Sequence, residues 1–209
     1  MTEFLQFMIF GLPAFLIAGS VHEFMHAFTA KKLGDYTATM EGRLSLNPLA
    51  HVDPFGLILM IFARFGWMKP VPINEYNFKN PVVGTAITSI AGPFSNMVMA
   101  IVSAGIYNIM IRTLPLDNMI IMTLISFLFV FIWVNLALML FNLIPIPPLD
   151  GYRIVRAFIP TKLRYYWEKL EDYSIYILLL LFLPITPLSG FLSRYLINGI
   201  SFFTDILIP

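Results

Sequence analysis

The run Phe4-Leu-Gln-Phe-Met-Ile-Phe-Gly-Leu-Pro-Ala-Phe-Leu-Ile-Ala-Gly-Ser-Val-His-Glu-Phe-Met-His-Ala-Phe-Thr-Ala30 sets the architecture. It is apolar over the roughly 20 residues that a spanning helix needs. A secretory leader would open on basic residues and close on a small-residue cleavage site. Here the only charge ahead of the run is Glu3, and His22, Glu23 and His26 sit inside it. The run is therefore expected to be a mature transmembrane helix. It ends at Lys31-Lys32-Leu33-Gly34, where basic residues suit a helix C-terminus and Gly34 suits the cap.

The remaining sequence agrees with a membrane setting. Of 209 residues, 58% are hydrophobic and 12% charged, where soluble domains run at about 45–50% and about 25%. The mean hydropathy is +0.80. Twenty Phe, nine Tyr and three Trp suit lipid-facing and interfacial surfaces. A net charge of +1 offers no footprint for nucleic acid, and the absence of Cys excludes disulfides and thiolate ligands.

Downstream, Tyr36–Leu46 is rich in β-formers and roughly alternating, which predicts one or two short strands. Asn47-Pro48 breaks that pattern. The apolar run Phe55–Phe65, interrupted by Arg64, is short for a span and reads as re-entrant or interfacial. Trp67–Pro81 is a loop with prolines at 70, 72 and 81. Full-length spans are expected over Val83–Ile111 and Met119–Leu143, joined by the turn Arg112–Asp117. Pro145-Ile-Pro-Pro-Leu-Asp-Gly151 cannot stay α-helical, because proline removes donors and clashes with the preceding turn. Arg153–Asp172 gathers charge and predicts a water-exposed amphipathic helix. Ser174–Leu183 begins a last span punctuated by Pro184 and Pro187, and an apolar tail follows. The expectation is one membrane-embedded domain over 1–209: all-α and polytopic, with about four to six membrane-embedded helices and a short β or re-entrant segment after the first.

Charge orients it. If Phe55–Phe65 dips and returns, Lys31, Lys32, Arg43, Lys69, Lys79, Arg153, Arg156, Lys162, Arg164 and Lys169 share one side. Arg112, with Arg194, stays opposite. The positive-inside rule then places residues 31–82 and 152–172 in the cytoplasm and 112–118 outside.

His22-Glu23-Phe24-Met25-His26 has the chemistry-bearing spacing. At about 100° per residue its histidines lie about 40° apart on one helical face, so both imidazoles can reach one metal ion. Glu23 projects near that face, placed to handle a proton on water. Five residues with three fixed positions recur by chance, but ionisable residues inside a membrane helix are costly and point to function. Catalytic zinc takes three protein ligands and keeps a fourth position open. Asp150, on the proline-broken segment after a long apolar helix, can be the third ligand. It can also be a turn aspartate in Leu-Asp-Gly.

Together, His22–His26, Ala91-Gly-Pro-Phe-Ser-Asn96 and Asn142-Leu-Ile-Pro-Ile-Pro-Pro-Leu-Asp-Gly151 resemble the site-2 protease family of intramembrane metalloproteases. The resemblance runs from the first helix to about Arg156. It implies one zinc ion on His22, His26 and Asp150, Glu23 as catalytic base, and membrane-embedded substrates. It also implies a cell-membrane location with the site near the cytoplasmic face. No PDZ-like insertion or CBS-like tail is visible, and Gly42–Gly56 resembles a compact bacterial and archaeal subgroup.

By the same resemblance Asn142 binds the substrate backbone or oxyanion, unless it is a helix-packing amide. Asn96 and Pro93 read as packing and kink residues. A substrate helix must unwind before attack, and a strand edge at 36–46 is expected to hold it. His51 is expected near the zinc on the substrate side. The alternatives are a turn-capping role and replacement of Asp150 as ligand. Two rival classes remain: a metal transporter, for which the helices offer few further ionisable residues, and a non-cutting scaffold, which an intact Glu23 disfavours.

Overall fold

A computed structural model describes residues 3–183 and 186–208. Seven helices carry the described chain: α1 (Glu3–Lys32), α2 (Pro54–Ala63), α3 (Pro81–Thr113), α4 (Met119–Asn142), α5 (Asp150–Arg156), α6 (Thr161–Phe182) and α7 (Pro187–Leu207). Short turns link α3 through α6, whereas the longer connections 33–53 and 64–80 flank α2. α1, α3 and α4 are long and apolar enough to cross a membrane, and a fourth crossing exists if α6 and α7, bent by 76°, count as one. At 1.5 Å per residue, each of the three exceeds the ~30 Å hydrocarbon core. Pro184, expected to punctuate the last span, lies outside the described residues.

Local sequence sets the helix starts. Asp53, Asn80 and Thr186 each accept a hydrogen bond from an amide in the first turn, and each is followed by proline at the first helical position. Asn118 caps α4 in the same way. The cap supplies an acceptor to an orphan N–H, and proline gives up only a donor that had no partner.

Small residues bring the spans together. Ala14 and Ala18 of α1 meet Phe131 of α4. Ala100 and Ala104 of α3 meet Ile132, Leu136, Met139 and Leu140 of α4, with Ile200 of α7 closing the cluster. Where lipid replaces water there is little hydrophobic gain between helices, so close approach over alanines supplies the contact.

The strands expected over 36–46 do not form. The Asp35 carboxylate accepts from the Thr37 amide and hydroxyl and starts a helical turn, Thr37–Met40. Gly34 (φ 106°) and Gly42 (φ 68°) bend the chain on either side. Local side-chain bonds to the backbone outcompeted strand propensity. Among the described residues β-pairing is a single antiparallel bridge between Val52 and Met68.

That bridge closes residues 53–67, which hold the run expected to be re-entrant, into a loop. The Lys69 amide donates to the His51 carbonyl at 2.7 Å, so residues 53–67 leave and return at one place. The returning chain passes so close to α2 that a Cβ on Gly56 would strike the Trp67 carbonyl, and one on Gly66 the Gly56 carbonyl. Arg64 reverses the chain in the left-handed region at φ 56°. Phe55, Ile58 and Phe62 stay exposed, an apolar face suited to lipid.

After α4 the chain turns sharply into α5, where a Cβ on Gly151 would strike the Leu143 and Ile144 carbonyls. Tyr152 is buried, stacks on Trp167 at 5.1 Å, and donates its hydroxyl to the Trp167 carbonyl. Arg156 bridges Glu75 and Glu168, tying α5 and α6 to the loop before α3.

Candidate metal centre

His22 and His26 lie one turn apart on α1 and are buried at 5% and 6% exposure. The His26 Nδ1 donates to the Thr88 carbonyl at 2.8 Å. A carbonyl only accepts, so in the neutral ring the His26 Nε2 presents a lone pair. The His22 Nδ1 faces the Asn96 Oδ1 at 2.6 Å. Both Nε2 atoms point at each other, 3.0 Å apart.

Asp150 completes the group. As the first residue of α5 it is placed by the tight Gly151 contact, and its Oδ2 lies 3.1 Å from the His22 Nε2 and 3.2 Å from the His26 Nε2. These ligand atoms all fall within 4.8 Å of one another. Three acceptors at such separations repel unless a cation or proton lies between them. Zinc bonds of about 2.0–2.2 Å at tetrahedral angles put donor atoms about 3.3–3.5 Å apart, so the donor set and spacing fit zinc.

Gly92 of α3 makes the space. A Cβ there would lie 2.5 Å from the His26 Nε2 and 2.6 Å from the His22 Nε2. Glu23 follows His22 on α1, and its Oε2 accepts the Val71 amide at 2.9 Å. One carboxylate oxygen is thus held by the Met68–Pro72 segment, and the other stays available.

Residues 104–185 match the family Peptidase family M50. The chain is 37% identical over 205 residues to the Bacillus subtilis protein named zinc metalloprotease YwhC, covering 95% of this chain and 92% of that one. It is 25% identical over 179 residues to the protein named zinc metalloprotease Rip2 of Mycobacterium tuberculosis, across 84% of this chain and 67% of that protein. The Rip2 protein of Mycolicibacterium smegmatis is 31% identical over 148 residues, 69% of this chain and 55% of its own length. No solved structure matches. The chain belongs to peptidase family M50. It is a metalloprotease.

Within this M50 peptidase, the sequence-expected positions separate. His22, His26 and Asp150 come together. Asn142 ends α4 and donates its Nδ2 to the Leu138 carbonyl of its own helix at 3.0 Å. His51 is fully buried, with its Nε2 2.7 Å from the Ser45 carbonyl and no partner for its Nδ1 among the described residues. Four contributors were not singled out as site residues by sequence: Gly92, the Thr88 carbonyl, the Val71 amide and Asn96. A backbone carbonyl or amide has no side-chain signature. Asn96 did carry a signal, since a polar amide inside an apolar membrane helix needs a partner.

Proposed function

We propose that this M50 metalloprotease cuts transmembrane segments of membrane proteins, with one zinc ion held by His22, His26 and Asp150 and with Glu23 as general base. The observation that carries the reading is the convergence of two buried histidines and a half-buried aspartate with the donor atoms a metal needs, the histidines on a helix long and apolar enough to cross a membrane. When bound, zinc polarises the scissile carbonyl and acidifies water.

The chain's own groups do the rest. The free Glu23 oxygen takes a proton from the attacking water as its oxygen bonds to the carbonyl carbon. As the C–N bond breaks, Glu23 returns that proton to the leaving amine. Gly92 keeps the space before the two imidazoles open, and Asp150 brings negative charge from a separate helix. In this reading Asn142 and His51 act on the substrate side. Asn142 would use its second amide hydrogen or its Oδ1, one hydrogen being held by the Leu138 carbonyl, and His51 would act through its Nδ1. With no strand at 36–46, that stretch has no ladder edge to offer an unwound substrate.

The site lies toward the ends of α1 and α4 that border the lysine- and arginine-rich segments. That placement supports a cell-membrane enzyme working near the cytoplasmic face. Zinc content measured on purified wild type and Asp150→Ala, together with cleavage of a labelled single-span substrate with and without chelator, tests the reading. One zinc per wild-type chain, lost in the variant, and chelator-sensitive cleavage are expected. Full zinc in Asp150→Ala removes it as a ligand, and chelator-resistant cleavage rejects the metal mechanism.

A further inference from the structure

Two side-chain amides and two backbone carbonyls line up behind His22. Asn96 and Asn135 are both fully buried. The Asn96 Nδ2 donates to the Asn135 Oδ1 at 2.9 Å and to the Ala18 carbonyl at 3.3 Å. The Asn135 Nδ2 in turn donates to the Phe131 carbonyl at 2.8 Å. We infer that Asn135 and Asn96 form a directional relay that fixes the proton of His22 on Nδ1 and so presents its Nε2 lone pair to the metal.

The direction follows from the chemistry of the two backbone ends. The Phe131 carbonyl only accepts, so the NH2 of Asn135 must face it and its Oδ1 must face Asn96. Asn96 then meets two acceptors, the Asn135 Oδ1 and the Ala18 carbonyl, and both must receive its NH2 hydrogens. Its Oδ1 is left for His22, which must donate from Nδ1. Reversing Asn96 would set its oxygen 3.3 Å from one acceptor and 2.9 Å from the other. Reversing Asn135 as well would only move the clash to the Phe131 carbonyl, 2.8 Å away. No link can flip alone.

The relay does more than choose a tautomer. Ala18 lies one turn before His22 on α1, so Asn96 grips the turn that carries the histidine as well as its ring. Asn135 belongs to α4 and Asn96 to α3, and the orientation of a ligand on α1 is therefore set through two other helices. His26 needs no such device, because a backbone carbonyl fixes it directly. Partners of this kind behind a ligating histidine typically change metal affinity about 10–100-fold when removed.

This rests on the reading of His22 as a zinc ligand, and the test separates the two. The full chain is purified in detergent and stripped of metal, and zinc affinity is measured by chelator competition for wild type, Asn135→Leu, Asn96→Leu and Asn96→Asp. Nitrogen-15 NMR of the three histidines in metal-free protein reports which ring nitrogen holds the proton. Wild type is expected to show His22 protonated at Nδ1. Asn135→Leu is expected to mix the tautomers and weaken zinc about tenfold, and Asn96→Leu more. Asn96→Asp, which keeps an acceptor facing His22, is expected to retain the Nδ1–H form. A wild-type chain that binds no zinc rejects the ligand reading, while its NMR still tests the relay. An unmixed His22 tautomer with wild-type zinc affinity in both leucine variants overturns the relay. If Asn135→Leu does not fold, Asn96→Leu against Asn96→Asp decides: equal tautomer populations in the two reject it.

Discussion

At Gly92 a single missing carbon holds the centre open. The Cβ of an alanine there would sit 2.5 Å from the His26 Nε2, inside the space that a metal would share. Gly92→Ala is expected to fold, since alanine suits a helix better than glycine, yet to lose zinc. Elemental analysis beside a melting curve checks this, and full occupancy would show that α3 can yield. Glu23→Gln is expected to keep zinc and lose about 10²–10⁴-fold in turnover, because the amide keeps the shape but cannot take the proton. Near-normal turnover would remove Glu23 as base. For His51→Ala, full zinc with slowed cleavage supports a substrate-side role, and lost zinc would make it a ligand. No change in either leaves only its bond to the Ser45 carbonyl. At this scale the sequence grouped His22, His26 and Asp150 by spacing and setting, and the structure brings their donor atoms together. Thr88 and Val71 contribute through backbone atoms, which residue identity does not reveal.

Among the elements, the junction after α1 shows how local bonds override pattern. Tyr36–Leu46 alternates like a strand, but Asp35 ahead of it gathers the Thr37 amide and hydroxyl, the Asn74 amide and the Asn77 side chain. No alternation rule sees partners about forty residues away. Burial alone would push the Asp35 carboxyl up, yet the bonds from Thr37, Asn77 and Asn74 outweigh it and hold it below its ordinary 3.8. Asp35 therefore stabilises the junction fully above that ordinary value, and the contribution is lost as pH falls through the lower folded one. Hydrogen exchange over 34–40 and 73–78 should stay protected down to about that pH and loosen below it. Asp35→Asn should lower protection at neutral pH, by about 1.5–3 kcal/mol for bonds to a charged group. A variant as protected as wild type would contradict this. The shortness of the 55–65 run, by contrast, was readable from length alone, because about ten apolar residues are too few to span comfortably. Its closure through Val52, Met68 and Lys69 was not, since it depends on two glycines letting backbone touch backbone.

Across the whole molecule, the closed loop over 53–67 supports the proposed sidedness, because a segment whose ends meet can return the chain to its starting face. Single cysteines in this cysteine-free chain test it: Tyr76→Cys should label from the cytoplasm and Leu116→Cys from outside, the reverse of which would invert the topology. Three helices long and apolar enough to cross a membrane were legible from hydropathy. The number of further crossings was not, because α6 and α7 are amphipathic, proline-started or bent, and composition alone does not separate a span from an interfacial helix. The central claim is proteolysis inside the bilayer by a metal centre at the buried ends of these spans. Its most direct test is to map, by mass spectrometry, the peptide bond that the purified zinc-loaded protein cuts in a single-span substrate in lipid vesicles. Cleavage within the substrate's apolar segment, absent in Glu23→Gln and after chelation, is the predicted result. Cleavage only at bonds outside that segment, or equal cleavage by Glu23→Gln, would contradict it.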